Sequence, residues 1–206
     1  MTRKIDPAVA ASVTEGVRAV EACSCAELVV EIRDRSGSYA HADSRFGALF
    51  AFVMLIVLLF APWVFAPVWV AVDAAIGYGI GLLISRGSHT IRRLMTTRSD
   101  RERKVHTTAA ATFIDRGVAK TERSTGMLVY LSILERRIEL IADRGILDAV
   151  PVLEWNQLAE ATRGRRATQN TLAEVLQALQ PLLLHYAPNR PGDRDELPDE
   201  LIFVPE

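Results

Sequence analysis

The chain has 206 residues, 50% of them hydrophobic, and a formal net charge of −1. A sequence of this length holds one modest domain, and without a basic excess it argues against nucleic acid as a partner. Cys23 and Cys25 are too close for an unstrained bridge and lack the further Cys or His of a metal set, so they read as two small thiols.

Residues Met1 to Cys23 carry Asp6, Glu15, Arg18 and Glu21, and so do not read as a secretory leader. Asp6 followed by Pro7 is a cap and first-position pair, and Val9, Val13, Val17 and Val20 mark one helical face to near Ala22. Ala26 to Ile32 alternates as a strand with Leu28, Val30 and Ile32 on one side. After Gly37, Ser38 is expected to cap a helix that holds Tyr39, His41 and Asp43 in its first turns and runs on into an apolar stretch.

That stretch, Phe46 to Ile84, is broken only by Pro62 and Pro67. Gly47 to Ala61 has no charged side chain, and Val68 to Ile84 has one, Asp73. Core helices of a soluble domain keep a polar stripe at helical spacing, and these two runs do not. Residues 46–85 therefore read as a transmembrane helical hairpin with the lipid bilayer as its partner. Arg33, Arg35 and Arg45 precede it, Arg86, Arg92, Arg93 and Arg98 follow it, and the corner has no Lys or Arg. Positive charge on both flanks places both termini in the cytoplasm. Asp73 lies about 9 Å beyond Pro67 along a helix, near the outer interface. Ala71, Ala75 and Gly79, and Gly77 with Gly81, repeat small residues at the spacing of close helix packing, within the hairpin, between copies, or against another membrane protein.

Beyond the hairpin, the Arg-rich segment Arg92 to Lys104 reads as a topology determinant with some attraction to anionic headgroups. Ser99 and Glu102 have capping-box spacing and open a helix that closes around Gly117. Met127 to Leu134 and Arg137 to Ala142 read as a β-hairpin turning at Glu135 and Arg136. Glu135, Arg136 and Arg137 then form a solvated charged tip. Helices follow at Val152 to Ala161 and Thr171 to His185, the latter kinked at Pro181, and residues 189–206 are a polar tail. One strand before the hairpin and two after it are too few for separate sheets. The first strand is expected to close onto the later pair, giving an α/β domain of residues 1–45 and 86–188, split in sequence by the hairpin. Helices Pro7 to Glu21, Asp100 to Arg116 and Thr171 to His185 cover the sheet.

The run Ala26 to Ile32 followed by Arg35 to Tyr39, the segment Thr125 to Ser132 with Glu135 to Arg137, and the tail Asn189 to Glu200 with Glu196-Leu197-Pro198-Asp199 resemble bacterial membrane proteins with a TPM domain. The resemblance covers nearly the whole chain. It implies a small central sheet sandwiched by helices and a place in the bacterial inner membrane. Family members also serve photosystem repair in the thylakoid lumen, and some are acid phosphatases or bind divalent metal. Our reading is a non-enzymatic protein-binding or scaffold module that self-associates or binds another membrane protein. The alternative is a membrane-bound acid phosphatase dependent on a divalent metal such as calcium or magnesium. For a metal, the candidate is Asp143, an acid beside a glycine turn at a strand end, where a turn-capping role is the competing use. No catalytic residue and no other cofactor is assigned. Ser132 lacks a G-x-S-x-G context, and His41, His89, His106 and His185 show no i, i+4 ligand spacing.

Overall fold

A computed structural model of the chain describes residues 6–62, 67–164, 167–189, 196–197 and 201–205. The chain divides into two units, residues 1–36 with 102–206, and residues 37–101. In the first, α1 (Pro7–Cys23) starts as expected, with the Asp6 side chain accepting from Ala8 N at 3.0 Å and Val13, Val17 and Val20 buried. β1 (Glu27–Arg33) follows. After the second unit come the rest of α5 (Arg98–Asp115), a single 3-10 turn (Val118–Lys120), β2 (Gly126–Ser132) and β3 (Arg137–Ala142). The remaining elements are α6 (Arg144–Ala149), α7 (Val152–Gly164), α8 (Gln169–Tyr186), with Pro181 inside it, and β4 (Ile202–Val204).

The four strands form one sheet in the order β3-β2-β1-β4. β1 runs parallel to β2 and to β4, and β2 is antiparallel to β3. The first strand therefore closes onto the later pair. Alternation along the strands then separates two cores. Leu28, Val30 and Ile32 of β1, Met127, Val129 and Leu131 of β2, and Ile138 and Leu140 of β3 pack with α1 and α8. On the other face Val29 and Leu128 meet Val105 and Ala109 of α5 and Val118 of the 3-10 turn. Gly126 lets that turn lie against β2, since a Cβ there would fall 2.0 Å from the Val118 carbonyl oxygen.

Several expectations need correction. The tail read as polar supplies β4, whose Ile202, Phe203 and Val204 pair with Glu31, Ile32 and Arg33; its apolar triplet is too short to stand out as periodicity. Thr97, one residue before α5, accepts from Asp100 N at 3.2 Å, so Ser99 lies inside the helix and does not cap it. The helix expected from Ser38 begins at Ala40, with Tyr39 at its N-cap. Helix α6 was not foreseen. Residues 63–66 of the proline corner and 198–200 of the tail motif lie outside the described residues.

In the second unit, α2 (Ala40–Leu59) and α3 (Pro67–Arg86) are each long and apolar enough to span a membrane. Their seam is set by small residues. A Cβ on Gly47 would lie 3.0 Å from the Tyr78 ring, one on Gly77 2.7 Å from Met54 Sδ, and one on Gly81 2.9 Å from Gly47 Cα. Of the small residues singled out in sequence, Gly77 and Gly81 thus face α2. Gly79 has open space where a Cβ would stand, Ala71 and Ala75 are exposed, and Asp73 is half-buried. A short helix, α4 (His89–Leu94), also not foreseen, follows α3 and is capped by Ser88. At the base of the pair Asp43 accepts from Arg92 Nε (3.0 Å) and Nη2 (3.1 Å) and from Ser85 Oγ (2.7 Å). All three side chains are buried.

Candidate functional site

Polar chemistry in the α/β unit concentrates on the α5 face of the sheet, in three cross-strand rows. The first row, Val29, Leu128 and Ile141, is apolar. Two residues further along β1, the second row is Glu31, Tyr130 and Glu139, and the third is Arg33, Ser132 and Arg137. The pleat brings these six onto one face because each is two residues from the last on its strand.

Glu31, fully buried, accepts through Oε1 from Arg33 Nε (3.1 Å) and Nη2 (2.9 Å), and through Oε2 from Arg116 Nε (2.8 Å) at the end of α5. Glu139 accepts from Arg163 Nη2 of α7 (2.6 Å) and meets His106 Nδ1 of α5 (3.0 Å). Burying a carboxylate is costly unless it is paired and bonded, and both acids of the row are. Arg137 bonds to Glu102 of α5.

Between the acids, Tyr130 begins a chain of buried hydroxyls. Its OH lies 2.8 Å from Ser36 Oγ, which donates to Ser132 Oγ at 2.8 Å, and Ser132 donates in turn to Glu135 Oε2. Since the Ser36 proton is spent on Ser132, Tyr130 is the donor of the first bond. Glu135 Oε1 also accepts from Ser36 N at 3.0 Å, and Thr108 of α5 donates to the Ser36 carbonyl at 2.9 Å. The solvated tip expected at Glu135 to Arg137 is therefore overturned. Glu135 is buried because it terminates this network, and Arg137 turns under α5.

Burial pushes the Tyr130 phenol up to about 12, outweighing the Ser36 bond, which pulls it down. Above pH 10 the unfolded chain gives up this proton and the folded chain keeps it, so stability present below pH 10 is lost as pH rises toward 12. At pH 11 the wild type is expected to have lost about 1.4 kcal/mol more than Tyr130→Phe, relative to neutral pH. Denaturant unfolding of both proteins at pH 7 and pH 11 checks this, and parallel losses would refute it.

Asp143 lies apart from these rows. It is the N-cap of α6, its Oδ1 accepting from Arg144 N at 2.7 Å, while Oδ2 is buried without a hydrogen-bond partner among the described residues. Gly145 permits a close approach here, since a Cβ would fall 2.6 Å from the Arg123 carbonyl oxygen. A cavity of about 100 Å³ nearby is lined by Cys25, Arg123, Thr125, Gly145, Ala149 and Ala187. A calcium ion takes about six to eight oxygens. Among the described residues no three His, Cys, Asp or Glu side chains converge, so this surrounding does not fit a dedicated cation cage.

No family model and no curated protein matches the chain. A solved structure that does match is the NMR structure of BA42 protein from the psychrophilic bacterium Bizionia argentinensis, at a TM-score of 0.57 and 13% identity. The match covers 98% of this chain and 97% of that one. At this identity the likeness speaks for the fold alone: a mixed α/β unit with a four-strand sheet flanked by helices, and two apolar helices.

Proposed function

We propose that the chain is a membrane-anchored protein of the TPM-domain kind, whose α/β unit binds a partner protein or serves as a scaffold at the bacterial inner membrane. The observation that carries this reading is the outward surface of α2 and α3. Only 17% of each apolar window is buried, and Phe52, Val57, Leu59, Val68, Trp69 and Leu83 are exposed. The core helix of a soluble domain would bury such side chains. An exposed apolar surface of this extent calls for lipid or a partner. The arginines on both flanks support cytoplasmic termini. Ala71, Ala75 and Gly79 offer the face on which a second copy or another membrane helix would pack. A binding role is favoured over catalysis because Glu31 and Glu139 already have arginine partners.

Carbonate extraction at high pH of membranes from cells expressing the full chain tests the anchor. The protein is expected to stay in the pellet, and its release into the supernatant would overturn the reading. The Asp143 Oδ2, without a hydrogen-bond partner among the described residues, favours a second reading, the metal-dependent phosphatase. Calcium, magnesium and manganese are expected to leave the thermal unfolding of the detergent-solubilised protein unchanged. A cation at 100 times its dissociation constant would add about 2.7 kcal/mol. Stabilisation present in the wild type and absent in Asp143→Asn would replace the binding-module reading with the metal one.

A further inference from the structure

We infer that the base of the α2–α3 hairpin is a binding surface for anionic phospholipid headgroups; the inference rests on the membrane anchoring proposed above and names the lipid class. Residues 37–101 hold six arginines and three aspartates, and between Gly47 and Val72 there is no charged side chain. Asp73 apart, the charges therefore gather at one end of the helix pair. Gly47 against Gly81 and Asp43 on Ser85 set the start of α2 beside the end of α3, so Arg45 and Arg86 share that end. The Arg92 pair with Asp43 holds α4 to the same place, bringing Arg93. Arg101 then donates to the carbonyls of Arg93 (2.7 Å) and Thr96 (2.6 Å), which ties the start of α5, with Arg98, to the end of α4.

Two acids of this unit, Asp43 and Asp100, stand at this end. Asp43 is taken by Arg92 and Ser85, and Asp100 accepts from Thr97 Oγ1 at 2.8 Å. With the Asp43–Arg92 pair set aside, Arg45, Arg86, Arg93, Arg98 and Arg101 outnumber Asp100 at this end, a net cationic excess next to the apolar spans. Leu94 is 74% exposed between Arg93 and Arg98, so α4 joins an apolar side chain to basic neighbours, as interfacial helices do. A phosphodiester headgroup accepts a guanidinium fork, while the acyl chains below it cover Leu94 and the outer faces of the spans. A zwitterionic headgroup offers the same phosphate with a compensating cation, so the surface discriminates by net charge.

The test uses the full chain in nonionic detergent, titrated with dioctanoyl phosphatidylglycerol and with dioctanoyl phosphatidylcholine and read by native mass spectrometry. The wild type is expected to bind the anionic lipid about ten-fold more tightly or better, as several cations near one headgroup layer imply. The preference should shrink in high salt. It should disappear in Arg86→Gln/Arg93→Gln/Arg98→Gln and persist in Arg18→Gln, a basic site on α1. Equal binding of both lipids by the wild type, or an undiminished preference in the triple variant, would overturn the inference. Should the triple variant not fold, Arg86→Gln and Arg98→Gln made singly are each expected to lose part of the preference; neither losing any would likewise overturn it. Carbonate extraction separates the two levels. A chain that stays in the membrane pellet but binds both lipids equally loses only this inference, whereas a chain released by carbonate loses the anchoring reading itself.

Discussion

Replacing Arg92 with leucine is expected to cost the helical hairpin about 3–5 kcal/mol, because it leaves the Asp43 carboxylate buried with Ser85 as its remaining hydrogen-bond donor among the described residues. The guanidinium meets both carboxylate oxygens, so no single neighbour replaces it. The double variant Asp43→Leu/Arg92→Leu should recover most of the loss, since apolar side chains of similar volume often replace a buried ion pair at little cost. Trp69 of α3 offers a fluorescence readout for denaturant titration in micelles. A loss under about 1 kcal/mol for Arg92→Leu would mean that the pair behaves like an exposed one and does not pin the hairpin.

The second large effect is expected at the β2–β3 turn. Glu135→Leu deprives both Ser36 N and the Ser132 hydroxyl of their acceptor, and should destabilise the α/β unit by about 3 kcal/mol. Glu135→Gln keeps one carbonyl acceptor and is expected to recover a substantial part. Chemical unfolding of the two variants beside the wild type decides the matter. If the leucine variant is as stable as the wild type, the buried hydroxyl chain contributes nothing net, and its role in fixing the turn falls away.

Much of the architecture was legible because it rests on periodicity. The valines of α1, the alternation of β1 and the apolar runs of α2 and α3 each carry their own element, and two strands that cannot stand alone force the long closure between β1 and β2. What escaped is what periodicity does not encode. The three residues of β4 have no pattern of their own, and α4 and α6 are too short to show a face. The polar rows escaped for a different reason. Glu31 and Glu139 look like solvent-facing positions of half-buried strands, and only the register, with α5 laid over it, turns them inward. Glu135 was misread because a charged strand turn is most often solvated, and its partner Ser36 stands 99 residues away. The pair of Asp43 and Arg92 was likewise hidden, although both residues were singled out, one for a helix start and the other for topology.

The long closure between β1 and β2 has a consequence for the order of synthesis. β1 leaves the ribosome well before its partner, and between them come α2, α3, α4, α5 and the 3-10 turn. Until β2 is made, β1 has no neighbour on that side, and β4, the neighbour on its other side, comes later still. The sheet can close only after both apolar helices have been made, so the α/β unit assembles with them already outside the ribosome. Until then the growing chain holds an unpaired strand and an apolar pair of helices together, the state that quality-control proteases and chaperones are built to notice.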